Sequence, residues 1–387
     1  MSYTIGIDAR KLSDFGIGVY IQHLVRGLAE IDRENHYVLF VGKAYAGELD
    51  DLPESFRLVA EHCPVYSLRE QVILSWRLLR LRLDLYHATH YVLPLVTPRR
   101  VVVTIHDIIH LLYPEFLPNR LAFVYAQRMI RRSLIKSDRV IADSQNTKSD
   151  LMDYFEVDGR KIRRIYPGVA ERYLVELDAG EIDRQLARFE LTRPYLLFVG
   201  NPKPHKNLDT VVQAYGRALA RGGFDADLVC VGGRDGSEFK IRERARQLGL
   251  GDRVRLLGHV DDASLPALYQ GASVFLYPTL YEGFGLPVVE AMASGVPVIT
   301  SHNSALREVA EGYAELVDPL EIDEVAQAIH RCMTDGDRRS SLAELGRRRA
   351  KDFRWHRTAE QTLEVYMSAL EGAGRGWRGL GRSRGRS

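Results

Sequence analysis

Short apolar runs alternate along the chain with longer stretches whose apolar side chains recur at helical spacing. In the first half, Tyr3–Ile7, Tyr37–Val41, Leu85–Ala88, Val101–Ile105 and Arg139–Ala142 predict strands. In the second half, Tyr195–Val199, Leu228–Val231, Val254–Leu257, Ser273–Tyr277, Val298–Thr300 and Glu315–Val317 do the same. Strands interleaved with amphipathic helices predict α/β architecture with parallel sheets. A polar, less regular section around 166–193 contains Pro167-Gly168 and the helical patch Asp178–Phe189, and it separates the two sets. The pattern therefore predicts two α/β lobes facing a cleft, residues 1–175 and 176–354, followed by a last helix at about 355–371. The remainder, 372–387, is low-complexity and rich in Gly and Arg, which predicts disorder.

Ligands of open α/β sheets bind beyond the carboxyl ends of the strands, and one such end is rich in chemistry. The stretch Pro278-Thr-Leu-Tyr-Glu-Gly-Phe-Gly-Leu-Pro-Val-Val-Glu-Ala-Met-Ala-Ser-Gly-Val-Pro297 follows an apolar strand. Pro287 suits the first turn of a helix, and Gly295 with Pro297 ends it. Gly283 and Gly285 predict a helix N-terminus open to an anion. Glu282 in the turn and Glu290 one turn into the helix should stand roughly 8–12 Å apart. That spacing suits a ligand with a phosphate in the middle and a polyhydroxyl ring at each end, as in a nucleotide sugar. Either acid alone reads better as a turn residue or a surface ion pair than as a ligand contact. The coincidence of strand, glycine turn, helix start and both acids favours the ligand.

Composition narrows the setting. A chain of 387 residues suits two domains. Cys63, Cys230 and Cys332 are too dispersed for a disulfide framework or a zinc pattern, which fits a reducing cytoplasm. The amino terminus runs into a strand without a signal-peptide pattern, and no apolar run approaches the roughly 20 residues of a membrane span. A net charge of +2 gives no reason to expect a nucleic-acid partner. Two segments are both basic and apolar, 68–82 and 119–133 with Lys136 beyond. Each could lie on anionic lipid, or could pack its apolar side inward with solvated arginines.

The Glu-x7-Glu pattern inside Tyr281-Glu-Gly-Phe-Gly-Leu-Pro-Val-Val-Glu290 resembles the signature of retaining glycosyltransferase family four, which has the GT-B fold. The resemblance continues through Ser304-Ala-Leu-Arg-Glu-Val-Ala310 and Leu316-Val-Asp-Pro319. Upstream it takes in Phe198-Val-Gly-Asn-Pro-Lys-Pro-His-Lys-Asn-Leu208, Val103-Thr-Ile-His-Asp107 and Asp8-Ala-Arg…Gly16-Ile-Gly-Val-Tyr20. It implies two Rossmann-like lobes about a central cleft, with the terminal helix crossing back to the first lobe. It also implies transfer of a hexose from a nucleotide sugar to a saccharide or lipid-linked acceptor. The look of the Asp8-Ala-Arg start, Ile105-His-Asp107 and Ser304-Ala-Leu306 is similar to bacterial mannosyltransferases of polysaccharide assembly, which implies GDP-mannose; uridine and adenosine donors stay open.

The resemblance also implies roles. Glu282 would take hydroxyls of the transferred sugar and Glu290 those of the ribose, while Phe284, Gly285 and Leu286 would offer backbone amides to sugar and phosphate, with Gly283 also among the donor-binding residues. Gly258, His259 and Val260 would frame the base. Lys206 would grip the diphosphate; Asn201 stands where the family usually has a second basic residue, which leaves Lys203 as the candidate partner or as a solvated surface charge. Gly16 and Gly18, read as a turn between the first strand and a helix, would let a phosphate approach the backbone. Ile21 and Val41-Gly42-Lys43 replace the third glycine and the acid of a dinucleotide fingerprint, which disfavours NAD. His106, at a strand's carboxyl end, would lie near donor sugar and acceptor, or be a backbone-bonded core histidine. His87, His90 and Asp107 are the acceptor-side candidates. Ser144 and Thr147 read as a helix cap. Asp225-Ala-Asp227 and Asp335-Gly-Asp337 imitate a metal-binding DxD but lie far from the other motifs. Lysine and a helix terminus already supply positive charge, so no metal or other cofactor is expected. An epimerase of the same fold, or a non-catalytic nucleotide-sugar scaffold, would share most of these features.

Overall fold

The computed structural model describes residues 2–45, 47–63, 67–192, 194–233 and 238–371. The first sheet contains β1 (Thr4–Ala9), β2 (His36–Val41), β3 (Phe56–Ala60), β4 (Leu85–Ala88), β5 (Arg100–Ile105), β6 (Arg139–Ala142) and β7 (Ile162–Arg164), in the order 3-2-1-4-5-6-7. The second contains β8 (Tyr195–Val199), β9 (Asp227–Val231), β10 (Val254–Gly258), β11 (Val274–Tyr277), β12 (Val298–Ser301) and β13 (Glu315–Val317), in the order 10-9-8-11-12-13. β1 pairs in parallel with β2 and β4, and β8 pairs in parallel with β9 and β11. Each sheet therefore reverses its winding beside its first strand. In the second sheet that switch point lies between β8 and β11, so the loops beginning at Gly200 and Pro278 leave neighbouring strands.

All the predicted strands are present, and β3 and β7 are additional. β3 is an edge strand that fully buries only Phe56, and β7 has three residues, two of them arginine. Neither carries the apolar run by which strands are recognised.

By packing, the chain falls into two compact units. One comprises Met1–Thr104, Arg132–Ile141 and the chain from Ala359; the other comprises Ile105–Arg131 and Ala142–Thr358. Segments of the two units alternate along the sequence. The terminal helix, Trp355–Glu371, begins with the second unit and continues with the first. Within the first unit Tyr366 of this helix meets His87, and Ser368 accepts from Arg139. Within the second, a Cβ on Gly168 would fall 2.1 Å from the Trp355 amide nitrogen, so the chain there passes too close for any side chain. The predicted Gly/Arg tail lies outside the described residues. Among the described residues, no helix is long and apolar enough to cross a membrane.

Candidate active site

Lys206 closes the short turn Pro204–Lys206 after β8, and Glu282 lies in the loop after β11. Because these strands are adjacent, the two side chains meet: Lys206 Nζ donates to Glu282 Oε1 at 2.7 Å and to the Tyr277 hydroxyl at 2.8 Å. Both members of the pair are largely buried. Burial pushes the Lys206 ammonium down, but Glu282 and Tyr277 more than offset this and hold it above the ordinary lysine range. Burial and the Glu282 carboxylate push the Tyr277 phenol up. At neutral pH Lys206 is therefore a cation and Tyr277 a neutral phenol.

The turn after Glu282 is fixed from several directions. Ser304 Oγ accepts from the Glu282 amide at 3.2 Å, and the Glu282 carbonyl accepts from the Ala305 amide at 3.4 Å. A Cβ on Gly283 would stand 2.1 Å from the His106 carbonyl oxygen, so this glycine serves a backbone-to-backbone approach. Thr147 Oγ1 donates between the carbonyls of His106 and Gly283, at 3.1 and 3.3 Å. Gly285, at φ +98°, is the N-cap of Leu286–Ala293 and adopts the left-handed conformation that glycine favours. Pro287 falls in that helix's first turn, as its sequence position predicts. Phe284 turns inward against Tyr166 and Phe353.

Glu290 accepts from the Tyr269 hydroxyl at Oε2, 3.0 Å away. Burial pushes its carboxyl up to about 7, with the Tyr269 hydrogen bond and Arg172 pulling the other way. The two acids of the motif thus differ in kind. Glu282 is charge-paired, whereas Glu290 has a neutral hydrogen-bond partner and titrates near neutrality.

His106 follows β5 and Asp143 follows β6, again adjacent strands, and His106 Nδ1 lies 2.6 Å from Asp143 Oδ2. A carboxylate can only accept, so Nδ1 carries a proton and the ring orientation is set. Asp143 lies inside a segment read from sequence only as a helix cap. That cap is present, since Ser144 Oγ accepts from the Thr147 amide, but the acid before it holds His106. An acid at the carboxyl end of β6 was the available signal. His205 is a second residue the reading passed over. Burial, with Lys206 and Lys203 nearby, pushes it down to about 3, so it is neutral beside the lysine.

Other candidates are placed differently from expectation. Gly16 and Gly18 lie inside the helix Phe15–Ile31 rather than in a turn before it. A Cβ on Gly18 would meet the Leu12 carbonyl oxygen at 2.1 Å, so that glycine is required by packing. His87 is fully buried in the first unit, its Nδ1 2.7 Å from the Tyr366 hydroxyl and its Nε2 2.8 Å from Thr104 Oγ1. With both ring nitrogens engaged in the core, it is a structural histidine and not an acceptor contact. His90 is buried, and its Nδ1 accepts from the Val92 amide. Asp107 accepts from the amide of Ile109, the first residue of a short helical turn, at 3.0 Å. Lys203 is exposed. Gly258, at φ +68°, accepts from the Gly232 amide; His259 is exposed and Val260 buried. The DxD look-alikes have other partners, with Asp225 and Asp227 on Arg253 and Asp335 capping the helix Gly336–Ala350.

Residues 16–172 match the model described as Glycosyltransferase Family 4, and residues 180–349 match that of Glycosyl transferases group 1. Both matches mark the chain as a glycosyltransferase. It is 29% identical to the O-antigen chain mannosyltransferase B of Escherichia coli, over 91% of this chain and 95% of that protein. It is 32% identical to a D-inositol 3-phosphate glycosyltransferase of Salinispora tropica, over 61% of this chain and 52% of that protein. The fold matches sucrose-phosphate synthase from Thermosynechococcus elongatus with a TM-score of 0.77 at 22% identity, covering 96% of this chain and all of the other. The glycosyltransferase has the GT-B fold expected from its motifs, two lobes each built on a parallel sheet.

Proposed function

We propose that this glycosyltransferase moves mannose from GDP-mannose to a saccharide or lipid-linked acceptor of polysaccharide assembly, with retention of the anomeric configuration. The observation that carries the reading is the buried Lys206–Glu282 pair at the switch point of the second sheet. Mannose is favoured because the O-antigen mannosyltransferase is matched along nearly its whole length, whereas the inositol-phosphate enzyme is matched over about half of its own.

The chemistry asked of these residues is modest. As the bond from the anomeric carbon to the diphosphate breaks, charge grows on the leaving oxygen. An ammonium has three N–H groups, and Lys206 commits two of them to Glu282 and Tyr277. The third would meet that charge in a site where little water competes. Glu282 would hold sugar hydroxyls and Glu290 the ribose diol. His106, oriented by Asp143, would flank the reacting carbon. In a same-face displacement the acceptor oxygen bonds the anomeric carbon as the phosphate departs, and the acceptor's proton passes to the leaving phosphate. Lys206 supplies the countercharge, so the reading includes metal independence.

The proposal extends to peripheral contact with anionic membrane from the cytoplasm. Helix Leu68–Arg80 turns Leu74, Ser75 and Leu78 inward but leaves Val72, Ile73, Trp76 and Leu79 exposed. Leu95 and Val96, hydrogen-bonded to this helix through Gln71 and Ser75, widen the exposed apolar face, and Arg69 and Arg80 are exposed on the same helix. The other basic segment exposes large apolar residues only at Leu121 and Ile135 among those described. Sedimentation with phosphatidylglycerol vesicles at low salt tests this contact, and protein left in the supernatant refutes it.

Incubation with labelled nucleotide sugars tests the activity. Release or transfer of mannose from GDP-mannose, lost in Glu282→Ala, is the expected result. An isomerised nucleotide sugar would identify an epimerase instead, and binding without turnover a scaffold.

A further inference from the structure

The helix Ser304–Ala310 was singled out by its sequence, yet no role above uses its final acid, Glu308. Its carboxylate sits on the N-terminus of another helix, Gln145–Phe155. Oε1 accepts from the Gln145 amide at 2.9 Å and from the Tyr166 hydroxyl, and Oε2 accepts from the Asn146 amide at 3.1 Å. Together with the Ser144 cap on Thr147, this satisfies the first three amides of that helix. An anionic oxygen also suits the positive end of the helix dipole. The residue just before the cap is Asp143, the partner of His106. One turn earlier in the same short helix, Ser304 and Ala305 hold the backbone of Glu282. Arg349 fixes the helix's far end by donating to the carbonyls of Glu308 and Val309, both at 3.0 Å.

We propose that Glu308 is a positioning residue for glycosyl transfer: it locks the Asp143 turn to the helix that also holds Glu282, and so sets His106 at a fixed distance from that acid. The assignment rests on the proposed function only in giving His106 a part in the reaction. Glu308 acts through the amides of Gln145 and Asn146 and thence through Asp143. Its loss therefore relaxes the histidine without removing any group assigned to the donor. Misplacement of a reacting group by about 1 Å can cost on the order of 100-fold in rate, and a loosened turn should cost part of that.

The test uses the full chain as Glu308→Ala, Glu308→Gln and Tyr166→Phe, each alone, and Glu308→Ala combined with Asp143→Ala. Two measurements are made. The first is turnover of GDP-mannose with donor affinity by calorimetry; the second is the His106 Nδ1 proton resonance in the NMR spectrum. The expected result for Glu308→Ala is a loss of kcat of about 10- to 100-fold with donor affinity within twofold, and loss of the downfield Nδ1 proton by faster exchange. Tyr166→Phe, which removes a different hydrogen bond to the same carboxylate, should keep both. The double variant should be no slower than Asp143→Ala alone, because the two residues act in series. Glu308→Gln keeps one acceptor oxygen and serves if the alanine variant does not fold; it should fall between wild type and alanine. An unchanged Nδ1 proton in Glu308→Ala, or losses that add in the double variant, would overturn the assignment. Wild type that turns over no GDP-mannose counts against the proposed donor alone, because the NMR measurement still decides the positioning role.

Discussion

Replacing Lys206 by methionine separates the two things its ammonium does. In wild type the Nζ–Oε1 distance is 2.7 Å. With an effective dielectric constant of about 20, that separation corresponds to roughly 6 kcal/mol of attraction, much of it cancelled by the cost of taking both charges out of water. Methionine keeps the length of the side chain but leaves a mostly buried carboxylate without its cation. Such a carboxylate can escape by taking up a proton, which at pH 7 costs an ordinary carboxyl about 3.7 kcal/mol. That sets a ceiling, and the expected destabilisation is about 2–3.5 kcal/mol at pH 7, shrinking towards pH 5 as protonation becomes cheap. Adding Glu282→Gln removes the orphaned charge and should restore most of the stability. Turnover should behave otherwise. If, as proposed, this charge meets the leaving phosphate, its loss should lower kcat by about 100- to 1,000-fold, and the double variant should recover none of it. Urea unfolding at pH 5 and 7, alongside donor turnover, reads both quantities. A double variant that regains activity, or a Lys206→Met protein as stable as wild type at pH 7, would show that the lysine is not placed as argued.

Three further outcomes follow from named contacts. Glu290, with its carboxyl at about 7, is protonated below neutrality and then a poor acceptor for a ribose diol. If only the ionised form binds, affinity for an intact nucleotide sugar should rise about 30-fold between pH 5.5 and 8.5. A nucleotide sugar has no phosphate titrating in that window, so calorimetry on Glu290→Gln should show a flat profile, and an equally steep one would refute the assignment. Because a folded-state pKa above the unfolded value favours the protonated protein, the same carboxyl should also lower stability as pH rises from about 4.5 to 7. Gly283→Ala places a Cβ 2.1 Å from the His106 carbonyl oxygen. It should destabilise the protein by about 2–4 kcal/mol and slow turnover together, and a silent substitution would contradict the close approach. His87→Leu should cost about 2–3 kcal/mol in thermal or urea unfolding, since it takes the histidine from the buried Tyr366 hydroxyl and leaves Thr104 with only its bond to Tyr20 of the two. The KM for acceptor should not change in that variant, and a selective rise would return the residue to the acceptor site.

The pattern of apolar runs by itself determined the α/β class, the strands that carry the motifs, and the terminal helix from Trp355 to Glu371. These features are local: a buried strand must be apolar, and a helix must begin and end with residues that tolerate its unsatisfied backbone groups. Spacing also singled out Glu282, Lys206 and the glycine turn, and the structure brings the two side chains together and starts a helix at Gly285. What spacing could not show is which distant residues meet. Asp143 reaches His106 because β5 and β6 are neighbours, and Glu308 reaches the tip of the 145–155 helix across more than 160 positions of sequence. His87 stood at a strand end like His106, and only burial against Tyr366 distinguished it. Gly18 read as room for a phosphate, whereas the room is taken by the Leu12 carbonyl. Strand order and the approach of separate chain segments decide such pairings, and neither is written in any one stretch of residues.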